Sequence, residues 1–124
     1  MLFKPFSQLP AFTAGDETEI REVLHPHNDG VAFGYSLAHA TLEPGQASLP
    51  HTLHGRSETY IIQSGAGKAM IAGEEVELGP GDTVYIPAGA EQHIRNVGDG
   101  PLTFWCIVCP PWSAETEEVL PKGQ

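Results

Sequence analysis

Positive charge is scarce in this chain. Three lysines and three arginines stand against 16 acidic residues, for a formal net charge of −10 over 124 residues. A phosphate backbone is bound by a basic surface, so a nucleic-acid partner is disfavoured, and an anionic membrane surface is disfavoured for the same reason. No apolar run approaches the length of a transmembrane helix. The first residues, "MLFKPFSQLP", lack the long apolar stretch of a secretory leader. The expectation is a soluble, cytoplasmic protein. Cysteine is almost missing as well: Cys106 and Cys109 form "CIVC" inside an apolar run. A redox CxxC opens a helix, whereas alternation along a strand sends these two sulfurs to opposite faces. Both are expected to be buried structural thiols. Internal repeats and low-complexity segments are absent.

Helix breakers are abundant. Fourteen glycines and 11 prolines make up about a fifth of the chain, more than a helical bundle tolerates and suited to an all-β domain with tight turns. Hydrophobic residues reach 40%, enough for a packed core. The length suits one domain over 1–124, with a core over about 31–109, an N-terminal strand segment over 1–30 and a C-terminal tail over 110–124. Expected strands are "TEIREVL" (18–24), "VAFGYSLAHATL" (31–42), "ASLPHTL" (47–53), "SETYIIQ" (57–63), "KAMIA" with "EEVEL" as a hairpin about Gly73, "TVYIP", "QHIRNV" and "PLTFWCIVC". "NDG" (28–30) reads as a turn, and "SAETEEVL" as a short helix capped by Ser113 with acidic residues toward the positive end of its dipole. Short strands at even spacing without a βαβ rhythm predict a sandwich or small barrel.

Six histidines are the obvious metal-ligand candidates: His25, His27, His39, His51, His54 and His93. His25 and His27 flank a proline before a turn and read as exposed loop residues. The stretch "GQASLPHTLHGRSETYIIQSG" (45–65) has five residues between Gly45 and His51 and six between Glu58 and Gly65. Further on, five residues separate Gly81 from "PAG" (87–89), followed by Asn96. Together these resemble the two motifs of the cupin superfamily. The stretches "YSLAHATLEPG", "LPHTLHGRSETYII" and "CIVCPPW" are similar to a subgroup of small cupins named mannose-6-phosphate-isomerase-like. The resemblance implies a jelly-roll β-barrel of two antiparallel sheets and a divalent metal in its interior. Two motif positions depart: the second histidine's place holds Leu53 and the third's holds Gln92, with His54 and His93 each one residue late.

Strand parity orders these residues. If Glu58 faces inward, so do Tyr60 and Ile62. His51 and Leu53 then face inward while His54 points out, unless the "HG" step bulges. Gln92, Ile94 and Asn96 share a face, leaving His93 and Arg95 on the other. The ligand set read in this way is His51, Glu58 and Gln92, with either His39 or His54 as a fourth, for one Zn, Fe, Ni or Mn ion. A glutamine carbonyl is a weak, neutral ligand and leaves the metal more Lewis-acidic. Arg56 and Arg95, beside the motifs, are candidates to pair with a carboxylate or phosphate on a substrate, or are solvated charges. Ile61, opposite Glu58 on its strand, and Phe3, Phe6 and Phe12 suggest a homodimer interface.

Two function classes follow. One is a metalloenzyme acting on a small polar organic molecule by isomerase, dioxygenase, decarboxylase or lyase chemistry, with Glu58 as base if it is not a ligand and Tyr60 next. The other is a non-catalytic cupin that binds or senses a small ligand.

Overall fold

Alternation of buried and exposed side chains builds this structure, a computed structural model that describes residues 1–120. The strands are β1 (Phe12–Thr13), β2 (Glu19–Leu24), β3 (Ser36–Leu42), β4 (His51–Leu53), β5 (Ser57–Ser64), β6 (Gly67–Ile71), β7 (Glu74–Leu78), β8 (Thr83–Ile86), β9 (Gln92–Asn96), β10 (Leu102–Cys109) and β11 (Glu117–Val119). The one α-helical turn among the described residues is α1 (Pro26–Asp29). Pairing is antiparallel throughout and forms two sheets, a six-stranded one in the order β1-β2-β3-β10-β5-β8 and a five-stranded one in the order β11-β4-β9-β6-β7. This is the all-β, two-sheet jelly-roll barrel expected from the sequence.

The inner faces meet in one core. Ala40 and Leu42 of β3, Ile62 of β5, Ile94 of β9 and Leu102 and Phe104 of β10 are all nearly inaccessible to water. Each large member contributes on the order of 2 kcal/mol by leaving solvent. The β6–β7 hairpin turns through Ala72 and Gly73, both at positive φ (50° and 84°), which matches the twist of the flanking strands. Among the described residues no helix is long and apolar enough to cross a membrane.

Several elements differ from their sequence reading. The strand expected over 31–42 begins only at Ser36. Its partner β2 pairs no further than Leu24 with Leu37, so the preceding residues have no ladder to join. "NDG" is the end of α1, whose N-cap is His25 and whose left-handed C-cap is Gly30. The stretch "SAETEEVL" is no capped α-helix. It makes one 3₁₀ turn at Ala114–Thr116, without a capping bond from Ser113 to the backbone, and then becomes β11. So short a segment is marginal as a helix, and the free edge of β4 offers it a ladder: Leu120 N–H reaches Pro50 O at 2.8 Å and His54 N–H reaches Thr116 O at 2.8 Å. Of the two thiols Cys106 is buried, whereas Cys109 is exposed because it closes β10.

Candidate metal centre

His51 heads β4 and points into the barrel with Leu53, while Thr52 between them turns away. Its Nδ1 lies 2.7 Å from the Leu49 carbonyl. A carbonyl only accepts, so Nδ1 carries the proton and Nε2 presents a lone pair. That lone pair looks toward Asp16, whose Oδ2 is 3.8 Å away. Asp16 sits in the turn between β1 and β2. Its Oδ1 accepts from Thr18 N–H at 3.1 Å, and its backbone carbonyl accepts from Leu49 N–H at 2.8 Å, which ties the turn to the segment that carries His51. Glu117 arrives from the opposite side as the first residue of β11, in register with Leu53. Trp112 Nε1–H donates to its Oε2 at 3.1 Å. One donor atom from each of Asp16, His51 and Glu117 lies within 4.8 Å of the others, the one such group of three among the described residues.

Two carboxylates and an imidazole lone pair at this spacing fit a divalent cation. The surroundings fit too, since the histidine tautomer and one oxygen of each carboxylate are already fixed by hydrogen bonds. Without a cation the arrangement is strained electrostatically: burial and then the nearby Asp16 charge push the Glu117 carboxyl up, offset in part by His51 and the Trp112 bond.

Deeper in the barrel stand Glu58, Tyr60, Gln92 and Cys106. All four are buried. Tyr60 O–H donates to Gln92 Oε1 at 2.6 Å, and Glu58 is hydrogen-bonded to Gln92 and Cys106. Burial, with the Asp16 and Glu117 charges adding to it, raises the Glu58 carboxyl to about 8, against the lowering effect of those two hydrogen bonds. Burial likewise pushes the Tyr60 hydroxyl and the Cys106 thiol well up. Asp16, His51 and Glu117, together with Glu58, Tyr60 and Cys106, border one cavity of about 250 Å³ whose remaining wall is mostly apolar.

The structure therefore brings His51, Glu58, Tyr60 and Gln92 inside the barrel. The two fourth-ligand candidates, His39 and His54, lie apart from this group. His39 lies on the outer face of the six-stranded sheet, with Nε2 2.7 Å from Gln63 Oε1 and its ring edge-on to Phe6 and Trp105 (centroids 4.9 and 4.7 Å). Inward on β3 are its neighbours Ala38 and Ala40, whose side chains border the cavity. His54 points to solvent and contacts Glu118 Oε1 at 2.8 Å. Strand β4 has ended by then, and Gly55 turns the chain at φ 71°, so no bulge swings the imidazole inward. Arg56 spends its Nε–H on Pro111 O at 3.1 Å, and Arg95 lies with His93 at a separate cleft.

Asp16 and Glu117 escape a reading of the sequence. Asp16 looks like any Gly-Asp turn residue. Glu117 is one of three glutamates in "ETEE", and only its place at the start of β11 selects it.

Residues 38–108 match the family described as "Cupin domain". The chain is 35% identical over 115 residues to the uncharacterized protein MJ1618 of Methanocaldococcus jannaschii, covering 93% of this chain and 91% of that one. It is 28% identical over 93 residues to a glucose-6-phosphate isomerase of Thermococcus kodakarensis, covering 75% of this chain and 47% of the isomerase, so it spans about half of that enzyme. The crystal structure of a protein described as a predicted oxalate decarboxylase from Thermotoga maritima superposes with a TM-score of 0.77 at 23% identity, over 88% of this chain and 99% of that one.

Proposed function

The chain belongs to the cupin family, and from that premise we propose that it is a metalloenzyme of the proton-transfer kind, isomerase or lyase, acting on a small organic molecule. The observation that carries this reading is the Asp16–His51–Glu117 group at the mouth of the cavity. An imidazole and two carboxylates suit Zn, Fe or Mn, with Ni also compatible. A divalent ion there supplies Lewis acidity to a carbonyl or hydroxyl oxygen.

The rest is the work of the chain's own side chains. Glu58 borders the same cavity; burial is the chief cause that raises its carboxyl, to about 8 in the metal-free chain, and burial persists when a metal is bound. A group titrating near the working pH is suited both to give a proton and to take one back. Gln92 and Cys106 hold that carboxyl in place, and Tyr60 holds Gln92. In this reading Glu58 and Tyr60 serve the reaction, and Glu58 and Gln92 are not ligands. A homodimer through the outer face of β5, which carries Ile61, together with the exposed Phe3, Phe6 and Phe12, and a cytoplasmic location belong to the same proposal; light scattering tests the former.

The test of the centre is metal content. Protein stripped with chelator and reloaded with Zn, Fe, Ni, Mn or Co is expected to retain one ion per chain. Asp16→Asn, His51→Ala and Glu117→Gln should each lose it, whereas Glu58→Gln should keep it. Refusal of all five metals by the wild-type chain rejects the reading.

A further inference from the structure

We propose that the cavity selects a neutral, largely apolar ligand with one oxygen-bearing end, and rejects phosphorylated ones; the choice of an oxygen-bearing end rests on the metal centre proposed above. Asp16, His51 and Glu117 bring three donor atoms within 4.8 Å of one another at one point of the wall. Most of the remaining wall is hydrocarbon, including Phe12, Ile20, Leu53 and Phe104. The volume of about 250 Å³ falls below the roughly 300 Å³ at which sites for drug-sized ligands begin, so the ligand is small.

Charge excludes a phosphate. Four carboxyl groups border the cavity, those of Asp16, Glu22, Glu58 and Glu117, and among the described residues no lysine or arginine does. One divalent ion balances two carboxylates and leaves no positive surplus. A phosphate dianion entering such a space loses its hydration and meets mostly carboxyl groups, while the two lining histidines, His25 and His51, already each hold one ring nitrogen against a backbone carbonyl. The cations of the described chain are committed elsewhere. Arg21 lies over the Phe6 ring outside the barrel, Arg56 on Pro111 O, and Arg95 at the separate cleft. Lys4 pairs with Asp29 and Lys68 with Glu75.

Calorimetric titration of the purified protein, with its metal content measured beforehand, decides the matter. The two probes are 2-hydroxy-1-phenylethanone, a neutral hydroxyketone, and glucose 6-phosphate. The hydroxyketone is expected to bind at least about tenfold more tightly. Equal or tighter binding of the sugar phosphate, or no binding of the hydroxyketone at millimolar concentration, overturns the proposal. Repeating the pair on metal-free His51→Ala separates the two readings. Only the His51 patch of the wall changes there, while the apolar wall and all four carboxyl groups stay in place, so the ranking of the probes still reports the cavity even if the wild-type chain holds no metal. Phe12→Lys, on the half-exposed edge strand β1, supplies the missing cation. It should tighten glucose 6-phosphate binding by about tenfold; no gain would show that charge is not the barrier and would also overturn the proposal.

Discussion

Tyr60 and Gln92 join the two sheets across the barrel through a single hydrogen bond of 2.6 Å between buried groups. Tyr60 belongs to the six-stranded sheet and Gln92 to the five-stranded one. Gln92 occupies the place of the motif's third histidine, yet its carbonyl oxygen is already engaged by the tyrosine. Its amide then faces Glu58. The residue thus links two acids, Tyr60 and Glu58, through its amide group.

Tyr60→Phe should accordingly leave Gln92 Oε1 buried without a donor. The expected cost is about 1–3 kcal/mol, read as a lower urea midpoint with an unchanged slope. A midpoint equal to that of the wild type would show that the bond contributes nothing.

Glu58 makes stability depend on pH. In the metal-free folded chain it keeps its proton up to about pH 8, but an unfolded glutamate releases it near 4.5. Between those values the folded chain holds the extra proton, so stability falls as pH rises, by about 1.4 kcal/mol per unit. The contribution is fully present below pH 4.5 and is lost by the time pH passes 8. Thermal melts in chelator should show this decline for the wild type, and Glu58→Gln, which cannot ionise, should flatten it. Parallel profiles for the two proteins would place the Glu58 carboxyl in the ordinary range.

His39 and His54 should be irrelevant to metal content for two different reasons. His39→Ala removes two edge-on ring contacts and the Gln63 bond and should cost about 2 kcal/mol of stability. His54→Ala removes an exposed contact with Glu118 and should cost less than about 1 kcal/mol. Metal analysis of both variants beside His51→Ala checks the placement; loss of metal from either would return it to the ligand set.

Gly65, which closes the first motif, is required by backbone geometry. Its φ is 92°, and a Cβ there would stand 2.5 Å from Pro101 O and 2.9 Å from Leu102 Cα. Neither neighbour is a flexible side chain that can move aside. Gly65→Ala should cost at least about 2 kcal/mol, measured by chemical denaturation; a loss under half of that would mean the β5–β6 turn relaxes freely.

The sequence by itself determined the sheet class, the motif frame and the inward face of the central strands. Side chains alternate with period two, so Glu58, Tyr60 and Ile62 had to share one side, and the motif glycines marked turns that positive φ then required. Parity also sent His54 outward from His51, although the "HG" step left an alternative open. What local pattern could not decide was which distant segments meet. Asp16 reaches His51 because a turn between β1 and β2 is tied to Leu49, and Glu117 reaches both because the tail pairs with the open edge of β4 instead of coiling. His39 shows the same limit in reverse. Its alternation was plain, but which face of β3 is the inner one is settled by packing, where the small Ala38 and Ala40 border the cavity and the imidazole meets Phe6 edge-on outside. A candidate metal centre assembled from three separated strand ends and turns is a property of tertiary contact, since its donor residues share neither a period nor a motif.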